Sequence, residues 1–132
     1  MNVSFDHLSL SAINPQRMKD FLCDLLGFEV GSRPGLPFDG YFLYAGDKDV
    51  VHIFPHRASH EQQQSEVSGV TEQNIVHHVS FYSDDFDEVM VRIATLNLNY
   101  SMNTVPDSSV KQIFVRAPEN LIIEIQGVPK GL

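Results

Sequence analysis

The order of predicted secondary-structure elements repeats along the chain, and this repeat limits the fold more than any other sequence feature. Each half is predicted to contain one strand, one helix and then three strands. DHLSLSAIN aligns with HHVSFYSDD at a spacing of 71 residues, and YFLYAGDKDVVHIF aligns without a gap with IFVRAPENLIIEIQ at a spacing of 72. The sequence therefore predicts an α+β protein made of two βαβββ modules.

Local signals in the first half support this order. Residues 3–11 alternate between polar and apolar side chains, which predicts a strand. Asn14 and Pro15 are predicted to be the N-cap and the first residue of a helix that ends at Gly27. Its apolar residues recur at helical spacing: Met18, Phe21, Leu22, Leu25 and Leu26. The strands that follow are predicted from Phe28, at 41–45 and at 49–54.

The second half shows the same signals after a polar stretch that has no apolar period. Residues 75–82 predict a strand, and Ser83, Asp84 and Asp85 offer caps for the next helix. The apolar face of that helix is predicted to consist of Phe86, Val89, Met90 and Ile93. The last three strands are predicted at 99–105, 110–117 and 121–127.

Length and charge exclude several classes of protein. The 132 residues predict a single domain, with module 1 at 1–55, a linker at 56–74 and module 2 at 75–128. A formal charge of −8 without a Lys/Arg cluster argues against a nucleic-acid partner, and no apolar run is long enough to span a bilayer. The chain has no signal-peptide pattern, and its single cysteine, Cys23, suits a reducing compartment, so the cytoplasm is predicted.

Four potential metal ligands share one face of the predicted sheet. His7, His52, His78 and Glu124 each alternate with apolar neighbours on a predicted strand, so each points away from the face that the helices would cover. The repeat pairs His7 with His78 and His52 with Glu124. Two modules lying side by side would enclose a cleft with these side chains inside it.

Each of these residues also has an ordinary structural explanation. A histidine on a strand is usually a hydrogen-bonded surface or core residue, and a glutamate between two isoleucines is usually the solvated side of an edge strand. Four such residues at equivalent repeat positions favour the ligand hypothesis. His77 has the opposite parity and is predicted to lie at the strand entrance, while His56 and His60 are predicted to be exposed polar residues.

The donor types indicate which metals would bind. Imidazoles with one carboxylate suit a borderline divalent ion such as Fe, Zn, Ni, Co or Mn. Such a site leaves coordination positions for water or for substrate oxygens. Because no thiolate accompanies the set, the pattern does not indicate a purely structural zinc site.

The chain resembles the vicinal oxygen chelate superfamily, which contains glyoxalase I, fosfomycin-resistance enzymes, extradiol dioxygenases and bleomycin-resistance proteins. FDHLSL resembles the family's first strand, with His7 at a ligand position, and HHVSFYSDDFDEV resembles the start of the second module, with His78 at a ligand position. APENLIIEI resembles the closing strand, with Glu124 as the carboxylate ligand. Ala117 and Asn120 depart from the family's DP-x-G-N stretch before that strand.

The resemblance implies the paired βαβββ fold and, commonly, a homodimer in which modules of two chains complete each site. His7, His78 and Glu124 match the ligand set of the dioxygenase and fosfomycin branches. His52 stands where glyoxalase I has a second glutamate, so it is predicted either as a fourth ligand or as an acid or base. His52 and Glu124 are the predicted catalytic residues.

Two functions follow from the sequence as hypotheses. The first is a divalent-metal-dependent enzyme, of lyase, isomerase or dioxygenase type, whose small substrate chelates the metal through adjacent oxygens. The second is a metal-free protein that binds a small molecule, as in the bleomycin-resistance branch. One fold hosts both classes, so the fold alone does not decide between them.

Overall fold

The chain forms two compact units, Met1–Gln73 and Asn74–Leu132, which contain the predicted modules and are called module 1 and module 2 from here on. The computed structural model describes residues 1–2, 4–36, 39–56 and 76–131. Most of the predicted linker at 56–74, including His60, lies outside the described residues, and only His56 of it is described. Each module has the predicted βαβββ order, and the two are described separately below.

Module 1 contains a four-stranded mixed sheet and one helix. The elements are β1 (Leu8–Ala12), α1 (Pro15–Leu26), β2 (Glu29–Gly31), β3 (Tyr41–Ala45) and β4 (Lys48–Pro55). The strand order is β1-β4-β3-β2; β1 and β4 are parallel, and the other neighbours are antiparallel. The parallel pair is joined through α1, as a crossover connection requires.

The predicted ends of α1 are confirmed. The side chain of Asn14 accepts a hydrogen bond from the backbone of Arg17 at 3.1 Å, and Pro15 follows it as the first helical residue. Gly27 ends the helix with a φ of 74°, a left-handed conformation that costs glycine little. The buried side of the helix consists of Met18, Leu22 and Leu25, and the buried sheet residues of the module include Leu43, Val51 and Ile53.

Module 2 repeats this architecture. Its elements are β5 (Val79–Tyr82), α2 (Phe86–Thr95), β6 (Tyr100–Thr104), β7 (Lys111–Arg116), a 3₁₀ turn (Pro118–Asn120) and β8 (Ile122–Gly127). The strand order is β5-β8-β7-β6, with β5 and β8 parallel. The predicted cap is confirmed at Asp85, whose side chain accepts a hydrogen bond from the backbone of Glu88 at 3.1 Å.

The turn before β8 explains how the chain departs from the family's glycine-containing stretch. Asn120 has a φ of 64°, in the left-handed region that asparagine tolerates better than most residues. The turn is closed by a backbone hydrogen bond from Ala117 to Leu121 at 2.7 Å, and a side-chain nitrogen of Arg116 donates to the carbonyl of Asn120 at 3.1 Å. The departure therefore leaves the entry to β8 intact.

The strand registers confirm the internal repeat. His52 on β4 and Glu124 on β8 occupy the same place in their sheets, between a serine on the parallel neighbour and a phenylalanine on the antiparallel neighbour. These neighbours are Ser9 and Phe42 for His52, and Ser80 and Phe114 for Glu124. The two residues therefore occupy equivalent positions, on the equivalent face of the sheet, in their respective modules.

The first strand of each module is shorter than predicted. β1 begins at Leu8 and β5 at Val79, so His7 and His78 each lie one residue before a strand. The β5 ladder starts where Val79 faces Ile123, next to the start of β8 itself, so His78 has almost no partner strand beside it. None of the described helices is long and apolar enough to cross a membrane.

Candidate metal centre

The four predicted ligands form two pairs, one in each module. His7 and His52 are in contact in module 1, and His78 and Glu124 are in contact in module 2. Within the described residues, no group of three or more His, Cys, Asp or Glu side chains is arranged to hold a metal ion. The structure therefore brings the four residues together only as two separate pairs.

The ring of His52 lies between two other rings. Its centroid is 3.5 Å from that of Phe42, with 6° between the planes, and 3.7 Å from that of His7, with 20° between the planes. The side chain of His52 is 13% exposed, whereas that of His7 is 33% exposed. His7 is thus stacked on a ring that is itself well packed.

A β-bulge brings a carboxylate to His52. Leu43 faces Val51, but the next residue of β3, Tyr44, faces Asp49, so Val50 is an extra residue in β4. An inserted residue reverses the alternation of side chains, which places Asp49 on the face that carries His52. The Asp49 Oδ2 atom lies 2.6 Å from His52 Nε2.

The charges around the two histidines form a connected network. Lys48 Nζ lies 3.1 Å from a carboxylate oxygen of Asp6 and 3.4 Å from one of Asp49. The hydrogen bond with His52 lowers the pKa of the Asp49 carboxyl, and the hydrogen bond with His7 lowers that of Asp6. Burial lowers the pKa of His52, although Asp49 acts in the opposite direction. Both carboxyls are therefore ionised at neutral pH.

Ionised carboxylates fix the tautomers of neutral His7 and His52. A carboxylate only accepts hydrogen bonds, so a ring nitrogen that is hydrogen-bonded to it must carry the proton. Asp6 Oδ2 lies 2.6 Å from His7 Nδ1, which leaves the lone pair of His7 on Nε2. The His52 Nε2 atom faces Asp49 and carries the proton itself. Neutral His7 thus has its lone pair on Nε2 and neutral His52 has its lone pair on Nδ1, each with a carboxylate at the other nitrogen.

Glu124 is a buried carboxylate. β8 is an interior strand between β5 and β7, and Glu124 is only 4% exposed. Gln112 on β7 donates a hydrogen bond from Nε2 to Glu124 Oε1 at 2.9 Å. His78 Nε2 lies 3.3 Å from the other oxygen, Oε2. The ordinary explanation of this glutamate, a solvated residue of an edge strand, is therefore wrong.

His78 is also held from its second nitrogen. His78 Nδ1 lies 2.8 Å from His77 Nδ1, so one ring donates and the other accepts. The rings of His78 and Phe114 form a T-shaped contact, with the planes at 86° and the centroids 5.8 Å apart. The prediction that His77 lies at the strand entrance is confirmed, because it is two residues before β5, but it also contacts a predicted ligand.

The pair in module 2 has a spacing that fits a shared metal ion. Two ligand atoms about 2.0 to 2.2 Å from one ion, at an angle between about 90° and 110°, are about 3.0 to 3.5 Å apart. The 3.3 Å between His78 Nε2 and Glu124 Oε2 falls in that range. Burial of the carboxylate is expensive unless it is paired, and a divalent cation would supply the opposite charge. The donor set present therefore fits a borderline divalent ion.

Sequence reasoning missed several residues that hold the predicted ligands, and Asp6 is one of them. Gln112 lies two residues before Phe114 and therefore on the same face of β7, and Phe114 faces Glu124. The register of β7 and β8 would therefore have indicated that Gln112 reaches Glu124. His77 was assigned by strand parity, which does not apply before the strand begins. Asp49 had no signal in the sequence, because alternation across an unbroken strand places it on the opposite face from His52.

Comparison with known proteins identifies the family. Residues 4–124 match the model of the Glyoxalase/Bleomycin resistance protein/Dioxygenase superfamily. The chain belongs to this superfamily. A search of the curated proteins finds no match.

Several solved structures share the fold of this superfamily member along its length. Lactoylglutathione lyase from Agrobacterium tumefaciens is 18% identical, with a TM-score of 0.69 and coverage of 96% of this chain and 95% of the other. The fosfomycin resistance protein FosX from Listeria monocytogenes is 13% identical, with a TM-score of 0.68 and coverage of 98% and 97%. An integron cassette protein from V. cholerae is 17% identical, with a TM-score of 0.69 and coverage of 96% and 97%. These similarities confirm the predicted glyoxalase-type α+β fold.

Proposed function

We propose that the protein is a divalent-metal-dependent enzyme whose small substrate chelates the metal through two adjacent oxygens. The proposed ligands are His7, His78 and Glu124, with Fe, Zn, Ni, Co or Mn as the candidate ions. The reaction class is that of the superfamily's lyases, isomerases and dioxygenases. Of the proteins that share the fold, one is named as a lyase, lactoylglutathione lyase, and another as a fosfomycin resistance protein, FosX.

The observation that carries this proposal is the buried carboxylate beside an imidazole in module 2. Glu124 is 4% exposed, and its Oε2 atom lies 3.3 Å from His78 Nε2. The amide of Gln112 orients the carboxylate from the other oxygen. A protein that only sequesters an apolar or cationic drug has no need of an oriented imidazole–carboxylate pair at a ligand position of the repeat.

The proposed site consists of three ligands and of two residues that orient them. His78 and Glu124 hold the ion from module 2, and His7, with its proton on Nδ1 facing Asp6, offers Nε2 as the third donor. A bound divalent ion supplies Lewis-acid chemistry that polarises substrate oxygens. Gln112 and Asp6 keep the donor atoms in the orientation that binding requires.

The test is metal retention by untagged protein. The chain is incubated with each of the five ions, freed of excess metal and analysed by inductively coupled plasma mass spectrometry. We expect one of these ions to be retained by the wild type, and its content to fall at least tenfold in His7→Ala, His78→Ala and Glu124→Gln. His56→Ala and Glu29→Gln, which alter an exposed histidine and an exposed glutamate outside the proposed ligand set, are the matched controls and should retain wild-type metal.

Two results would contradict the proposal. Wild-type protein that retains none of the ions would favour the metal-free binding protein, and full metal content in the His78 and Glu124 variants would place the ion elsewhere. The loaded protein is then assayed with vicinal diols, hemithioacetals and epoxides, as small substrates of three chemical classes. Turnover of one class would identify the reaction.

A further inference from the structure

The histidine pair of module 1 is asymmetric in a way that the repeat does not predict. His7 and His52 are both imidazoles at ligand positions of the repeat, but only His7 presents its Nε2 lone pair. His52 directs Nε2 at Asp49, at 2.6 Å, where the nitrogen must donate its proton. Because a metal binds a lone pair and not an N–H group, His52 in this arrangement does not offer Nε2 as a ligand.

Ring geometry gives a second and independent reason. The rings of His7 and His52 are nearly parallel, at 20°, with their centroids 3.7 Å apart. A nitrogen lone pair lies in the plane of its ring, so the lone pairs of two stacked imidazoles lie in two nearly parallel planes about 3.7 Å apart. Lone pairs in such planes do not meet at one ion at bonding distance. The stacked pair is therefore unsuited to act as two ligands of the same metal.

The surroundings of His52 are those of a supporting residue. Phe42 covers the face opposite His7, with 6° between the planes, and Asp49 holds the ring edge. His7, by contrast, lies one residue before β1, where no strand ladder fixes its backbone. Its ring orientation depends on two contacts, the stacking on His52 and the hydrogen bond with Asp6.

We propose that His52 is a positioning residue for His7, acting through its ring face as a stacking partner that Asp49 and Phe42 hold in place. This inference rests on the proposed function for the role of His7 as a ligand. It assigns to His52 a role that needs a planar ring and no metal–nitrogen bond. It also assigns Asp49, at the bulge of β4, to hold that ring in place.

Replacement of His52 by phenylalanine distinguishes a stacking partner of His7 from a metal ligand. His52→Phe keeps a planar ring for His7 but removes both nitrogens, whereas His52→Ala removes the ring as well. Cobalt(II) is titrated into untagged protein, and its visible absorption reports affinity and ligand set. We expect His52→Phe to bind within about threefold of wild type, and His52→Ala to bind about tenfold to a hundredfold more weakly, as for other residues that orient a ligand.

A metal-free measurement makes the test independent of the ion. Long-range ¹H–¹⁵N spectra of the histidine-labelled apoprotein report which ring nitrogen carries each proton. We expect His52 protonated on Nε2 and His7 on Nδ1 in the wild type, and the same His7 spectrum in His52→Phe. In His52→Ala the ring-proton shifts of His7 should move, whereas His56→Ala, a second histidine of module 1, should leave them unchanged.

The outcomes distinguish this inference from the proposed function. Loss of cobalt binding in both His52→Phe and His7→Ala would make His52 a ligand and overturn the inference alone. Unchanged binding in His7→Ala would instead contradict the proposed ligand set. Should the wild type bind no cobalt, the spectra still decide: a His52 proton on Nδ1, or a His7 spectrum that does not respond to His52→Ala, overturns the inference.

Discussion

A neutral imidazole has one N–H group and one lone pair, so the partner of one nitrogen decides what the other nitrogen can do. Asp6 sets this choice for His7, and Asp49 sets it for His52. For His78 the choice is made between two histidines, because its Nδ1 atom lies 2.8 Å from that of His77. If His78 donates there, its Nε2 lone pair faces Glu124, as ligation by both side chains requires.

This arrangement predicts that His77 supports the metal affinity of His78. His77→Ala removes the acceptor and should weaken cobalt binding about tenfold. His77→Asn should retain near-wild-type affinity, because the amide oxygen of asparagine accepts a hydrogen bond from a position close to that of a histidine Nδ1. Cobalt titration of the two variants checks the prediction. Wild-type affinity in both variants would show that the contact with His78 has no effect on the ion.

At the scale of elements, short loops and irregular strand pairings place the key side chains. The bulge at Val50 turns Asp49 toward His52, and the pairing of β3 with β4 on the other side of the bulge holds Phe42 against the same ring. This pairing begins where Tyr41 faces Ile53, directly after Gly40. A β-carbon on Gly40 would lie 2.4 Å from the carbonyl oxygen of Ile53, so only glycine fits at the start of the ladder.

The close approach of Gly40 to Ile53 predicts that alanine will destabilise the protein at Gly40 and not at Gly35. Gly40→Ala should lower the free energy of unfolding by about 1 to 3 kcal/mol, because the backbone of Ile53 must move. Gly35→Ala is the matched control: a β-carbon there would have no neighbour within 4 Å among the described residues, so the change should stay within roughly 0.5 kcal/mol. Urea unfolding monitored by circular dichroism measures both. Similar losses in the two variants would show that the contact with Ile53 is relieved without cost.

On the scale of the whole molecule, the proposed ligands are divided between the modules. His7 belongs to module 1, whereas His78 and Glu124 belong to module 2. We propose, from the superfamily resemblance, a homodimer in which modules of two chains complete each site. The third ligand of each ion would then come from the partner subunit.

Mixing two variants that each fail to retain the metal tests whether the ligands of one site come from two chains. His7→Ala and Glu124→Gln homodimers are each expected to lack the metal, but a heterodimer of the two contains one site with all three wild-type ligands. We therefore expect metal retention to return after the variants are unfolded and refolded together, by about one ion per heterodimer. A mixture of His78→Ala and Glu124→Gln should not recover, because both changes affect the same half-site. No recovery in the first mixture would show that each site lies within one chain.

The sequence by itself determined the two modules, the ends of α1 and the equivalent sheet faces on which His52 and Glu124 lie. It could do so because caps and strand alternation are local properties. Only the tertiary structure decided how these residues are held. Glu124 is buried because β8 lies between β5 and β7, and strand order is a long-range property. Asp49 reaches His52 because one extra residue in β4 reverses the alternation on which the sequence argument relied.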